Sequence, residues 1–310
     1  DENGDCKTHG ALEPDGIYSQ GPDPFCRFYF YMPSGEEVSF CAHAAIGASV
    51  VVAAAQKKQK NQMNATIDNS NISLMIQSQF YAGDSDTLVQ TTIRKQCDGT
   101  DAEAEVILMD EHATLYESDC LGGESIHDLL QDVALSSADC CKLSTLNLNL
   151  PHGINSSVAR NKTLVAVDSV QRLHEASNPP DADRFRRLCD NIDSTGLYLY
   201  SKLPGRPDAF ECRQFPRASG YPEDPATGIA AAALAASLRS RKLCGRSLDF
   251  FQGTSMGRRS RIGIRFEDLN HPNNCDKTGS DEGDCDDDAS KEILYCSGSV
   301  SILSEEEIEI

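Results

Sequence analysis

"SFCAHAAIGASVVVAAA", residues 39–55, sets a cysteine and a histidine directly ahead of a long run of small apolar residues. The run is of helix length and has no polar face, and a helix apolar all round is a buried one. Its Ala, Gly and Ser side chains let neighbouring backbone approach closely. The N-terminus of a helix leaves four backbone N–H groups without partners and concentrates about half a positive charge there. Cys41 and His43 therefore stand where an anion would be held.

A second stretch repeats this plan. "CRFYFYMPSGEEVSFCAH" (26–43) runs into its helix as "ECRQFPRASGYPEDPATG" (211–228) runs into "IAAAALAASLRSRK" (229–242). Each unit has a Cys-Arg on a strand-like segment, a proline, a Ser-Gly turn, a polar cluster and a small-residue helix. Each helix ends in cations, Lys57, Lys58 and Lys60 in one and Arg239, Arg241 and Lys242 in the other, which complement the negative end of the helix dipole. Two copies indicate a duplicated unit and not a solenoid.

The expected fold is α+β: two pseudo-symmetric halves, each a curved, mostly antiparallel sheet wrapped around a central buried helix. The halves are placed at residues 1–150 and 151–310, divided by the turn-rich "LPHGINSSVARNKT" (150–163). Their helix N-termini would face one cleft, with Cys41 and His43 on one side and Glu223, Asp224 and Thr227 on the other. An acid on one face of a bound molecule and a base on the other is the arrangement that moves a proton.

The remaining segments fit this plan. Strands are expected over "CRFYFYMP" (26–33), "SGEEVSF" (34–40), "ATIDNSNISLMIQSQF" (65–80), "TLVQTTIRKQ" (87–96), "TLVAVDS" (163–169), "RIGIRF" (261–266) and the C-terminal "EILYCSGSVSILSEEEIEI". "GGESIHDLLQDVALS" (122–136) is an amphipathic helix with Ile126, Leu129, Leu130 and Val133 on one face, and "DADRFRRLCDNI" is a helix capped by Asp181. Residues 1–25 are polar loop, and 271–291 form an acidic, solvated loop without the ligand order of a calcium site.

A formal net charge of −20 repels nucleic acid and anionic membranes, which excludes both as main partners. No apolar stretch reaches the length of a membrane span. The chain opens on Asp1 without a charged-then-apolar leader, so it is expected to be a fragment or a processed product. Thirteen cysteines, an odd count without a CxxC, favour reduced thiols and a cytoplasmic setting, although sequons at Asn64, Asn71, Asn155 and Asn161 leave secretion open. His112, His127, His152, His174 and His271 are scattered, so no metal site is expected.

"EVSFCAHAAIGAS", "YPEDPATGIAAAALAASL" and "FFQGTSMGRRS" together resemble three motifs of the phenazine-biosynthesis PhzF-like isomerases and epimerases, which share the diaminopimelate epimerase fold. In that family they read Cys-Gly-His-Ala-Thr-Leu, Glu-Asp-Pro-x-Thr-Gly-Ser-Ala and Gln-Gly-x-x-Met-Gly-Arg-Pro-Ser. The resemblance runs from about Arg27 to Val300, with the motifs in the family's order.

It implies a cofactor-free site between two halves and proton transfer on a small carboxylic acid, in a homodimer. By the same resemblance Asp224 is the active-site acid and His43 a second polar catalytic residue. Gly228 donates its backbone N–H to the substrate carboxylate, and Cys41, Ala42 and Thr227 line the site. Cys41 stands where epimerase relatives carry a catalytic thiol. The second motif has no cysteine, so a two-thiol racemase is not implied and Cys41 reads as a small buried residue. Ala42, Ala45, Ile229, Arg259 and Ser297 depart from the family's Gly, Thr, Ser, Pro and Gly, and its Ser-Glu-Thr acid/base segment is missing, with only Glu2 near the expected spacing. These departures support an alternative, a catalytically silent member acting as a binding or scaffold protein.

Overall fold

Alternate residues of the strands around Leu164 and Leu197 face two different hydrophobic cores, and this sets the layers of the protein. The computed structural model describes residues 27–31, 37–38, 41–51, 76–82, 88–96, 101–109, 116–118, 123–140, 153–268 and 292–301. The expectations for residues 1–25, the cations after the first helix and the acidic loop 271–291 lie outside these described residues.

The strands are β1 (Arg27–Phe28), β2 (Phe30–Tyr31), β3 (Glu37–Val38), β4 (Ile76–Ala82), β5 (Leu88–Gln96), β6 (Asp101–Met109) and β7 (Tyr116–Ser118). They continue as β8 (Ile154–Ser157), β9 (Lys162–Ala166), β10 (Gly196–Lys202), β11 (Ala209–Pro216), β12 (Ser247–Gln252), β13 (Ser260–Asp268) and β14 (Glu292–Ser301). The helices are α1 (42–51), α2 (Gly123–Asp132), α3 (Val170–Glu175), α4 (Ala182–Asn191) and α5 (Gly228–Ser240).

Twelve strands form one mixed sheet in the order β1-β4-β5-β6-β14-β13-β12-β11-β10-β9-β8-β7, and β2 and β3 form a separate hairpin. The two expected sheets are thus joined, because β14 pairs along its length with β6 as well as with β13. The pairings β1–β4, β9–β10 and β11–β12 are parallel and the others antiparallel. Before residue 150 the chain already lies among the later strands: β7 pairs with β8, and α2 packs on α4.

The inner core gathers Leu164, Ala166, Tyr198 and Tyr200 against α5 and the buried face of α1. The outer core places Val165, Val167, Leu197 and Leu199 under α2, α3 and α4. The strands that carry both sets are buried on both faces, which explains their continuous hydrophobic runs.

Helix α5 forms because alanine has the highest helix propensity. Every residue from Gly228 to Leu238 is buried. The helix ends where Lys242 turns left-handed (φ 58°) and the Leu243 N–H donates to the Leu238 carbonyl at 2.9 Å, satisfying an orphan carbonyl of the last turn. The Arg241 guanidinium donates to the Ser237 carbonyl at 3.0 Å, and Arg239 pairs with Glu292 on β14, so the cations serve the helix end as expected.

Helix α1 differs from the expectation of a helix buried all round. Ala42, Ala45, Ile46, Ser49 and Val50 are buried, but Val51 is 57% exposed. It lies on the inner core with one face only, whereas α5 is enclosed by strands. The other helices follow their sequence signals. Ile126, Leu129, Leu130 and Val133 form the buried face of α2, and the Asp181 carboxylate accepts from the N–H groups of Asp183 and Arg184 to cap α4. Among the described residues no helix is long and apolar enough to cross a membrane.

Candidate active site

The N-termini of α1 and α5 meet. A Cβ added to Gly228 would lie 2.8 Å from the Ala42 Cβ and 3.0 Å from Cys296 Sγ, so only glycine at 228 lets the two helix mouths close on each other. Ala42, a departure from the family motif, is accommodated by that absent side chain. Gly228→Ala should overpack the junction and cost about 1–3 kcal/mol in urea unfolding. A change below about 0.5 kcal/mol would show that the mouths are not tightly packed.

A cavity of about 350 Å³ opens over this junction. Cys41, Ala42 and His43 line it from α1, and Asp224, Thr227 and Gly228 from the α5 side, so every sequence-derived candidate except Glu223 reaches one space. Glu223 points elsewhere. Its carboxylate accepts two bonds from the Arg213 guanidinium, at 2.9 and 2.7 Å, with both side chains about 95% buried. Arg213 also donates to the carbonyls of Leu173, His174 and Ala176 at the end of α3. Glu223 is therefore an anchor for the loop that carries Asp224, one residue further on.

That loop is fixed from two more sides. Asp224 pairs backbone to backbone with Gln214 on β11 at 3.0 Å. Its carboxylate accepts from the Thr227 hydroxyl at 2.7 Å and from the Ala226 N–H at 3.2 Å. The Gln252 side chain, from the third motif, donates to the Asp224 carbonyl at 2.6 Å and to the Thr227 hydroxyl at 3.0 Å, and accepts from the Thr227 N–H at 3.3 Å. The third motif thus supports the second. Arg259, which replaces the usual proline, pairs with buried Glu211 and stacks over Phe251.

On the α1 side Cys41 is half-buried and His43 exposed. Cys41 Sγ lies 3.4 Å from His43 Nδ1 and 3.5 Å from Nε2. Burial pushes the Cys41 thiol up, but the contact with His43, the His43 charge and the Ala44 N–H outweigh it, and the net direction is downward. His43 moves the other way. The contact with Cys41 raises it, burial opposes this, and the charges of Cys41 and Asp224 add to the rise. Cys41 is therefore only partly buried, and its thiol lies against His43 at a helix N-terminus, a setting that favours the thiolate.

The other described cysteines are raised, chiefly by burial: Cys140, Cys189 and Cys296 to about 12, Cys244 to about 11, and Cys212 further. Peptide mapping after brief iodoacetamide treatment near pH 7 should therefore find Cys41 labelled first among these six. His43→Ala should slow that labelling by about tenfold for each pKa unit regained. Equal labelling of Cys244 and Cys41 would contradict the lowered Cys41 thiol.

Several cavity residues went unnoticed in the sequence, among them Arg160, Lys162 at the start of β9 and Gln214 on β11. Lys162 is 94% buried, and burial together with the charge of Arg160 lowers it to about 8, against the opposing charges of Asp224 and Cys189. Its signal was a lone cation in the alternating buried face of "KTLVA", in phase with Leu164 and Ala166. Among the described residues no three His, Cys, Asp or Glu side chains are grouped to hold a metal.

Comparison with known proteins places this architecture. The family described as "Phenazine biosynthesis-like protein" matches residues 127–279, just under half of the chain. The chain is similar in structure to the PhzF-family phenazine biosynthesis protein of Bacillus anthracis, at 15% identity, covering 92% of this chain and 80% of that one with a TM-score of 0.60. It is also similar to a predicted epimerase of Pseudomonas aeruginosa, at 16% identity, covering 92% of this chain and 82% of that one with a TM-score of 0.57. At these identities the structural likeness is one of fold. No curated protein matches in sequence. The chain thus carries the family's sequence pattern across residues 127–279 and resembles PhzF-family proteins in fold.

Proposed function

We propose that the protein is a cofactor-independent isomerase or epimerase that moves a proton on the carbon beside a carboxylate of a small acid. The observation that carries this is the joining of two helix N-termini beneath one cavity with titratable groups on opposite lips. The backbone N–H groups at Ala42 and Gly228 hold the carboxylate, and their dipoles favour the negative charge that develops there when the neighbouring carbon loses its proton. Asp224 and His43 are the acid/base pair, close enough for the Asp224 charge to raise His43. Asp224 takes the proton, and His43, which the contact with Cys41 and the charges of Cys41 and Asp224 raise, supplies one from the other lip. The name of the Pseudomonas relative, a predicted epimerase, agrees with this reading.

The two helix-mouth units are read as copies of one ancestral half, with the division at 150/151 moved earlier in the chain to leave β7 and α2 with the later half. The silent-member alternative draws on Ile229, whose side chain cannot donate a hydrogen bond to the carboxylate. Incubation with a panel of small carboxylic acids in heavy water separates the two. The proposed enzyme incorporates deuterium at the carbon next to the carboxylate of at least one acid. Binding without exchange across the panel would favour the silent member.

A further inference from the structure

We propose that the pocket takes a small dicarboxylic acid, one carboxylate at the paired helix mouths and the other between the Lys162 ammonium and the Gln214 amide. This rests on the anion-binding reading of the helix mouths and adds the substrate class. Lys162 and Gln214 both line the cavity, and both are buried. Lys162 makes one hydrogen bond, to the Thr195 carbonyl at 3.2 Å, and among the described residues no carboxylate lies within ion-pairing distance of it. Neither the nitrogen nor the oxygen of the Gln214 amide has a partner. A buried ammonium and a buried amide left in this way are costly, and a ligand that accepts from the ammonium and the amide NH₂ would reduce the cost.

The sheet brings the two together. Thr163 is level with Leu197, so Lys162 lies beside Gly196, which in turn pairs with Pro216. Leu164, Tyr198 and Cys212 all face the inner core, which puts Lys162, position 196 and Gln214 on that same face. A Cβ at Gly196 would lie 2.5 Å from the Gln214 nitrogen, and the glycine holds φ +145°. The absent side chain is thus the space that the Gln214 amide occupies, next to Lys162. An ammonium and an amide NH₂ side by side donate to the two oxygens of a carboxylate.

The test is calorimetric binding to the full chain of matched acids, succinate with butyrate, glutarate with pentanoate and adipate with hexanoate, at constant ionic strength. At least one diacid should bind about tenfold or more tightly than its monoacid, about 1.4 kcal/mol. Lys162→Met should abolish that preference while the monoacid binds as before, and Gln214→Leu should reduce it. Monoacids that bind as well as every diacid would overturn the subsite and leave the helix-mouth reading intact. So would a Lys162→Met protein, folded by its melting curve, that weakens both classes alike. If neither series binds, both readings fall. The comparison in the unaltered protein stands even if a variant does not fold.

Discussion

Under the proposed mechanism Asp224→Asn should slow deuterium exchange into the substrate by about 10²–10⁴-fold, the range expected when a positioned acid/base group is lost. The substitution is close to isosteric and keeps an oxygen to accept from the Thr227 hydroxyl or the Ala226 N–H. Gln252 and the backbone pairing with Gln214 hold the loop independently of the carboxylate. The melting temperature should therefore change little while the exchange rate collapses. NMR of the recovered acid measures the rate directly. A variant within a few-fold of the unaltered protein would remove Asp224 from the chemistry.

Glu223→Ala destabilises the protein by about 3–5 kcal/mol, because it leaves the Arg213 guanidinium buried without its counter-charge. Leu173, His174 and Ala176 carbonyls remain to Arg213, but they are neutral acceptors. Urea unfolding monitored by circular dichroism gives the value. The double variant Arg213→Met with Glu223→Met should recover a large part of the loss, since removing both charges removes the unpaired one. A single-variant loss below about 1 kcal/mol would show that water reaches the pair. Because this ion pair ties the Asp224 loop to the end of α3, the single variant should also lose exchange activity at temperatures where it remains folded.

The difference between Glu223 and Asp224 shows what the sequence could carry. Adjacent acidic residues before a helix read alike, yet one turns to a buried arginine and the other to the cavity. That choice depends on Arg213, which lies on the neighbouring strand β11 and which no helical or strand period links to the loop. By contrast, α5 was legible from its alanines, the buried face of α2 from the spacing of Ile126, Leu129, Leu130 and Val133, and the start of α4 from Asp181, because each rests on neighbours within a turn or two.

The first two motifs placed Cys41, His43, Asp224 and Thr227, and the cavity joins them. Long-range pairing was not legible. Nothing local says that β14 bridges β6 and β13 and so joins two expected sheets into one, or that β7 and α2 lie among the later strands. Gln252 was seen as a motif letter, but its strap across Asp224 and Thr227 requires β12 to lie beside β11. Lys162 and Gln214 line one cavity, and the Gln214 amide fills the space that Gly196 leaves open.

The measurement that bears most directly on the joined helix mouths is a crystal structure of the protein with an acid that it exchanges. The proposed chemistry predicts a carboxylate within hydrogen-bonding distance of the backbone N–H groups at the starts of α1 and α5, with its neighbouring carbon between Asp224 and His43. A carboxylate bound away from both helix starts, or a reacting carbon turned from Asp224, would contradict it.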